Sequence, residues 1–348
     1  MHSLADNFLD ALRFEPQHMN TVRALGRYQG KQELYSRQTP EVLESLRRLA
    51  VVESSESSNR LEGIVASRQR IEDLVTRSAT PRDRSEQEIA GYRDALALIH
   101  ESYGDMPVRV NVLLQLHSTL FRYVPQEGGR FKPVDNEIVE RDSDGRLIRV
   151  RFKATSAVET PQAMAALEQR YEQTVHRNEP LVVIPLTILD FLCIHPFLDG
   201  NGRMARLVTL LLLYRAGFYV GRYISLERIF EESRQSYYET LEASSQGWHQ
   251  GQHDVFPWMT YFWGVLLRAY KELEERVGSI VDAPGAKTLR VRQAVERRVR
   301  PFAISDIERD CPGVSRPMIR RVLRQLRDEG RLVVEGSGRG ARWRRLDL

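Results

Sequence analysis

Residues 185–206 read PLTILDFLCIHPFLDGNGRMAR, and the way this stretch folds determines the rest of the architecture. Its first ten residues are almost all apolar, as in a helix buried on every side. The run then meets His195-Pro196. A proline disfavours helical backbone at the residue before it, so the helix is expected to end at His195. Phe197 and Leu198 are apolar positions in a short loop and are expected to anchor it to a core. Asp199-Gly200-Asn201-Gly202 turns the chain, and a second apolar helix follows from Arg203. The stretch predicts two core helices joined by a tight polar turn.

Outward from that pair, apolar residues recur at three- and four-residue spacing over 40–50, 85–102, 109–121, 160–177, 202–216, 225–242 and 257–277, which predicts a mainly helical chain. Thr39 is expected as an N-cap with Pro40 at the first helical position. One stretch alternates instead: Glu137–Val139 and Leu147–Phe152 flank Asp142-Ser143-Asp144-Gly145, a hairpin signal placing two short strands at about 136–153. Residues 278–285, GSIVDAPG, read as a linker. The expected division is therefore an N-terminal helical region (1–84), a central domain (85–280) and a C-terminal domain (286–348).

Composition narrows the class. The 348 residues are 42% hydrophobic and 28% charged, ordinary for a globular protein. Cys193 and Cys311, the two cysteines, lie far apart in helix-like contexts, so no disulfide framework is expected. The N-terminal residues include acids and no long apolar run, and the longest apolar stretch, 207–214, is far short of the roughly 20 residues that span a bilayer. A cytoplasmic protein with no membrane partner is expected. The net charge of +4 is unevenly spread: residues 286–348 hold 17 basic and 8 acidic side chains, an excess of nine, which leaves the remainder negative by five. Such asymmetry points to a polyanion partner for the basic tail.

The turn at 195–206 carries chemistry. Glycines on both sides of Asn201 allow a sharp turn and leave amide N–H groups at a helix N-terminus, where unpaired donors and the helix dipole favour an anion. Asp199 is a hard oxygen ligand suited to Mg²⁺ bound to phosphate oxygens. Arg203 and Arg206, three apart on one helix, offer planar forks to phosphates. His195 is placed to take a proton from a hydroxyl. Any one of these residues alone fits a plain interhelical loop. As a set they are the parts of a phosphoryl or nucleotidyl transfer site.

The set resembles the signature of the Fic family, His-x-Phe-x-(Asp/Glu)-Gly-Asn-Gly-Arg-x-x-Arg, matched at every fixed position by His195, Phe197, Asp199, Gly200, Asn201, Gly202, Arg203 and Arg206. The resemblance implies a mainly α fold, a Fic-type helical bundle with a small β-hairpin flap that aligns a target by strand addition. It implies transfer of AMP from ATP to a Ser, Thr or Tyr hydroxyl of a target protein, with His195 as general base and Asp199 as Mg²⁺ ligand. Gly200, Asn201 and Gly202 would form the anion hole, and Arg203 and Arg206 would hold the outer phosphates. One of Tyr237 and Tyr238 would line the adenine pocket. Relatives often self-associate, so a homodimer is also expected. A different nucleotide donor and removal of AMP both stay open. His249 and His253 read as loop residues rather than a metal pair.

Ser58-Asn59-Arg60-Leu61-Glu62-Gly63 resembles the family's inhibitory pattern, (Ser/Thr)-x-x-x-Glu-(Gly/Asn). Glu62 is expected to form a two-pronged pair with Arg206, with Ser58 bonding nearby and Gly63 ending the helix. The basic tail reads as three helices and a hairpin, similar to a winged helix-turn-helix. Its third helix, 316–329, is expected to be capped by Ser315 and to show Arg316, Arg320, Arg324 and Arg327 to duplex DNA. A nucleotide-sensing, DNA-binding transcriptional regulator is the alternative to an enzyme.

Overall fold

The structure of the protein is a computed structural model that describes all residues except 1, 39, 78, 126, 127, 142–145, 283–285, 297, 299, 312, 337–340, 347 and 348. The expected Thr39 cap, the hairpin turn 142–145 and part of the linker therefore lie outside the described residues. The chain divides into two compact units, one of Met1–Gln32 with Glu44–Leu273 and one of Glu33–Leu43 with Glu274–Leu348. Apart from residues 33–43, the N-terminal helices share a unit with the motif.

In chain order the elements are helices α1 (Asp6–Ala11), α2 (Pro16–Gln38), α3 (Pro40–Leu61), α4 (Arg68–Thr76), α5 (Arg84–Ser102) and α6 (Val110–Leu120), then strands β1 (Glu137–Arg141) and β2 (Leu147–Lys153). Helices α7 (Thr160–Thr174), α8 (Pro180–Ile194), α9 (Asn201–Arg215), α10 (Leu226–Glu232), α11 (Arg234–Ser245) and α12 (Phe256–Asp282) follow. The mainly helical fold with one hairpin in this region is as expected. No helix among the described residues is long and apolar enough to cross a membrane.

The central pair is α8 and α9, both buried along nearly their whole length. Helix α8 begins at Pro180, so Pro185 falls inside it rather than at its start. A proline lacks the N–H that would bond the carbonyl four residues back. That carbonyl, Leu181 O, accepts from the indole of Trp263 at 2.7 Å, and Trp258 donates to Pro185 O at 2.8 Å. Two buried tryptophans of α12 thus bolt that helix to α8 and satisfy the group the proline orphans. Helix α5 approaches α6 closely at Gly91, where an added Cβ would stand 2.0 Å from Leu120 O.

Further expectations are corrected. The stretch 225–242 is two helices, broken at Ser233, whose hydroxyl donates to Ile229 O and meets the Tyr261 hydroxyl, a local bond that competes with helix continuation. Residues 278–282 are helix rather than linker, because the spacing of Val277, Ile280 and Val281 carries the helical pattern past Gly278. Leu198 does not anchor its loop: it is 61% exposed, whereas Phe197 is fully buried.

Strands β1 and β2 pair antiparallel from Glu137 opposite Lys153 to Arg141 opposite Leu147, with two irregularities in register. In the second unit, α13 (Ala286–Glu296), α14 (Ile304–Asp310) and α15 (Arg316–Asp328) pack with β3 (Leu332–Glu335) and β4 (Arg342–Arg345) around Val291, Ile307, Ile319, Leu323 and Trp343. The cap expected of Ser315 is not made by its side chain, though Pro317 occupies the first turn of α15.

Substituting Gly91 by alanine forces α5 away from a main-chain carbonyl that cannot yield. A loss of about 1–3 kcal/mol in urea-unfolding stability is expected; an unchanged midpoint would show that the helices are free to separate.

Candidate active site

The loop between α8 and α9 is shaped by two left-handed residues. His195 has φ 51°, the one non-glycine among the described residues with positive φ, and Gly200 has φ 80°. With Pro196 disfavouring a further helical residue, His195 leaves the helix as its cap. Gly200 reverses the chain into α9, and its missing Cβ makes room for the Phe121 ring. Asn201 clasps the loop from within: its Oδ1 accepts from the Phe197 N–H at 2.9 Å and its Nδ2 donates to Phe197 O at 2.7 Å. Below, the Phe197 ring lies on His117 at 3.7 Å between centroids. His117 Nδ1 accepts from the Gly129 N–H, which leaves Nε2–H to donate to Asp199 O at 3.1 Å.

Above this loop lies a cavity of about 540 Å³ bounded by the loop, by β1 and β2, and by α11. Its lining includes His195, Asp199, Gly200, Asn201, Gly202 and Arg206 from the motif, Glu62, and both Tyr237 and Tyr238. The two tyrosines meet edge to face at 5.1 Å, with Tyr237 buried and Tyr238 half-buried. Arg151 and Arg234 stand over the Tyr238 ring.

His195 is half-buried. Its Nδ1 lies 3.3 Å from Leu192 O, which assigns that nitrogen the proton and leaves Nε2 as an acceptor. Burial, with a smaller contribution from the Lys132 charge, pulls its pKa down to about 4, against the opposing influence of the Leu192 carbonyl, Glu62 and Asp199. The imidazole is therefore neutral at pH 7, as a proton acceptor must be.

Asp199 keeps over half its side chain exposed, and its Oδ1 accepts from the Gly200 N–H at 2.6 Å. No cluster of three or more metal-ligating side chains occurs among the described residues. One accessible carboxylate beside room for phosphates suits Mg²⁺, which retains waters and commonly takes one or two carboxylates plus phosphate oxygens. The donor set therefore fits such an ion brought in with a nucleotide.

The two arginines of the motif separate. Arg206, 2% exposed, points to the cavity. Arg203, 1% exposed, turns away to Glu88 Oε2 at 2.6 Å and stacks over Phe121, with Asp199 at 3.7 Å. It does not line the cavity as expected: Nη1 ties α9 to α5, Nη2 stands beside Asp199, and the buried Nε has no hydrogen-bond partner.

Glu62 meets Arg206. Helix α3 closes with the N–H of Ile64 bonded to Asn59 O and that of Gly63 to Arg60 O, and Gly63 has φ 79°. This paired closure puts Glu62 at the helix end. Its Oε1 accepts from Arg206 Nη2 at 2.7 Å, one charge-assisted bond rather than the expected two-pronged pair. Ser58 takes the other prong: its Oγ accepts from Arg206 Nε and its carbonyl from Nη2, both at 2.8 Å. An added Cβ on Gly202 would stand 2.2 Å from Glu62 Oε1, so the carboxylate covers the N-terminus of α9. Burial opposes ionisation of Glu62, but the charge and hydrogen bond of Arg206 outweigh it and lower its pKa.

Sequence reasoning missed Glu88, Lys132 and His117, because nothing in their local spacing marks them as partners of residues tens of positions away. His249 and His253 diverge: His249 Nε2 bonds Lys153 O at 2.8 Å, while His253 Nε2 meets the Ser3 hydroxyl.

A family model described as the Fic/DOC family matches residues 107–213. Curated proteins named protein adenylyltransferase Fic from Drosophila sechellia and Drosophila melanogaster are each 29% identical over 166 residues, 46% of this chain and 30% of theirs. The match thus spans about a third of those relatives. Among solved structures, a Fic family protein from Desulfovibrio desulfuricans aligns over 97% of this chain and 98% of its own, with TM-score 0.65 and 21% identity. A Fic domain containing signaling protein from Bacteroides thetaiotaomicron aligns over 74% and 97%, with TM-score 0.60 and 20% identity. Both share the fold.

The depressed pKa of His195 gives a pH prediction. Its unfolded value near 6.5 lies above its folded value of about 4, so the unfolded chain binds more protons between them. The stability contributed by a neutral His195 is complete above the upper value and declines as pH falls through that window. Imidazole NMR of the folded protein should show His195 titrating near 4; a midpoint near 6.5 would contradict the burial argument.

Proposed function

We propose that the protein is an adenylyltransferase that moves AMP from ATP to a hydroxyl of a target protein and is held at rest by Glu62. The observation that carries the reading is the shared cavity: a neutral histidine with a free acceptor nitrogen, an accessible Asp199, the first turn of α9 and the Arg206 guanidinium all face one space. The adenylyltransferase names of the matched relatives support the same chemistry.

In this reading a Ser, Thr or Tyr hydroxyl of the target approaches between the hairpin and His195. Nε2 takes the hydroxyl proton as the oxygen bonds to the α-phosphorus of ATP. The bond from that phosphorus to the bridging oxygen breaks, and pyrophosphate leaves. The unpaired N–H groups at the start of α9 bind phosphate oxygens. Arg206 grips the outer phosphates once Glu62 is displaced, and Tyr237 and Tyr238 flank the base. Asp199 would hold Mg²⁺, which neutralises phosphate charge when bound. Arg203 acts from behind, fixing α9 through Glu88.

The brake follows from occupancy. The Glu62 carboxylate engages the guanidinium and covers Gly202, where phosphate must lie. Intact-mass analysis of wild type and Glu62→Gly, each incubated with Mg²⁺ and a single nucleoside triphosphate, is the test. Recovering a charged hydrogen bond of about 1.5–3 kcal/mol predicts roughly tenfold or greater self- or target labelling by the variant, with ATP as donor. Adding His195→Ala should remove that labelling by a factor of roughly 10² or more while ATP binding persists. No adduct with any nucleotide in the Glu62→Gly protein would sink the transfer reading. Release of AMP from a labelled target would favour the reverse reaction.

A second reading concerns the C-terminal unit, favoured by the face of α15. Arg316, Arg320, Arg324 and Arg327 are all exposed, while Ile319, Val322, Leu323 and Leu326 are buried on the opposite side. Arg316 lies 3.4 Å from Glu308 and Arg327 lies 2.9 Å from Asp328, weak surface pairings that a phosphate would displace. In this reading the unit is a winged helix that binds duplex DNA. Affinity should fall steeply as salt rises, and Arg320→Ala with Arg324→Ala should flatten the salt slope by about two. Absence of binding at low salt would remove the idea and leave the unit as a protein-docking module.

A further inference from the structure

Residues 128–136, GGRFKPVDN, carry no sequence mark of function, yet they hold the carbonyls of the residues on both sides of His195. Lys132 Nζ donates to Ile194 O at 3.1 Å. The Lys132 main-chain N–H donates to Pro196 O at 2.9 Å. Asn136 Nδ2 donates to Phe197 O at 3.0 Å, and Lys132 Nζ donates to Asn136 Oδ1 at 2.7 Å, which fixes the orientation of that amide. The segment is itself seated on α6, where an added Cβ at Gly128 would meet His117 O at 2.5 Å.

Lys132 is 3% exposed, and its two hydrogen-bond acceptors are neutral oxygens. Burial pulls its pKa down to about 8, with Asp135 acting in the opposite direction, so the ammonium is still mostly charged at pH 7. Burying an ammonium without a direct ion pair is costly, and a core position of this kind would be better filled by an apolar side chain. What the ammonium gains is the end of α8. Ile194 O is among the last carbonyls of that helix, which have no intrahelical partner and sit at the negative end of its dipole. The next residue is His195, in a left-handed conformation that costs a non-glycine residue roughly 1–2 kcal/mol. Such a conformation persists only where its surroundings over-determine it.

We propose that Lys132 is a positioning residue for the transfer reaction: from beneath the loop, its ammonium and main-chain N–H, seconded by Asn136, hold His195 in the left-handed conformation that presents Nε2 to the cavity. The inference rests on the reading of His195 as general base. Lys132 does not line the cavity, so it acts through His195 and not on the nucleotide. The charged groups that bear on His195 are Lys132 from below, Glu62 from the end of α3, and Asp199 across the loop. Of these Lys132 opposes protonation, adding to the burial that keeps the base neutral.

The test uses the full chain in two readouts. Imidazole NMR follows the tautomer and titration of His195 in the wild type, Lys132→Met, Lys132→Gln and Lys132→Arg. Labelling by ATP is measured for the same substitutions combined with Glu62→Gly. Lys132→Met should raise the His195 titration midpoint, weaken the Nδ1–H tautomer preference, and lower kcat by about 10²-fold with the KM for ATP little changed, as expected for a misplaced base. Lys132→Arg should restore most of both. Lys132→Gln, which keeps a donor for Ile194 O without the charge, guards against a Met variant that fails to fold; it should raise the midpoint and keep the tautomer. A wild-type His195 titration and undiminished kcat in either folded variant overturns the proposal. If Glu62→Gly alone shows no transfer, the adenylyltransferase reading fails, while the NMR comparison still decides whether Lys132 positions His195.

Discussion

A guanidinium with 2% of its surface exposed has to be paired, and the pairing of Arg206 organises much of the N-terminal unit. An uncompensated buried charge costs about 3–5 kcal/mol. Here the compensation comes from Ser58 and Glu62 at the end of α3, in a part of the sequence nearly 150 positions away. The pairing draws the end of α3 onto the start of α9. The same helix is tied further along by Ser54, whose hydroxyl donates to the buried Glu227 carboxylate at 2.7 Å, which also accepts from Tyr92. Glu62 supplies the opposite charge from just past the last helical residue, and Ser58 holds the same guanidinium through its hydroxyl and its carbonyl.

The other half of the site is a main-chain problem. The turn from α8 to α9 contains a left-handed histidine and a left-handed glycine within six residues, and its carbonyls point in several directions. Several are met by other groups: Ile194 and Pro196 by Lys132, Phe197 by Asn136 from outside the turn and by Asn201 from within it, and Asp199 by His117. Asn201 therefore serves as an internal clasp. With the carbonyls held, the opposite side of the turn is free to offer N–H groups and side chains to the cavity.

Much of this was legible in the residues. The spacing of apolar positions gave the helices of the central pair, and the alternation around 137–152 gave the hairpin. The motif placed His195, Asp199, Gly200, Gly202 and Arg206 at one cavity, where the structure also finds them. Misreadings came where a distant residue overrode a local preference. Pro185 reads as a helix start, but Trp263 satisfies the carbonyl it orphans and the helix runs through. Leu198 reads as a core anchor, but it is exposed and Phe197 supplies the anchor. Arg203 reads as facing the same site as Arg206, but its Nη1 is bonded to Glu88 of α5 and it does not line the cavity.

By itself the sequence determined the covalent grammar of the site: a proline after the histidine, glycines where the chain must reverse, a carboxylate and two arginines at fixed offsets. Those are local properties, set by backbone sterics and by the geometry of one helical turn. Tertiary structure decided which groups those side chains answer to. Whether an arginine faces a cavity or a buried glutamate, and whether a glutamate reaches that arginine, depends on groups brought close from remote positions. Electrostatic and hydrogen-bond energies depend on separation in space, and separation along the chain does not encode it. The site at 195–206 is thus written in the sequence, while the contact of Glu62 with Arg206 and the bonds from Lys132 and Glu88 exist only once the helices have packed.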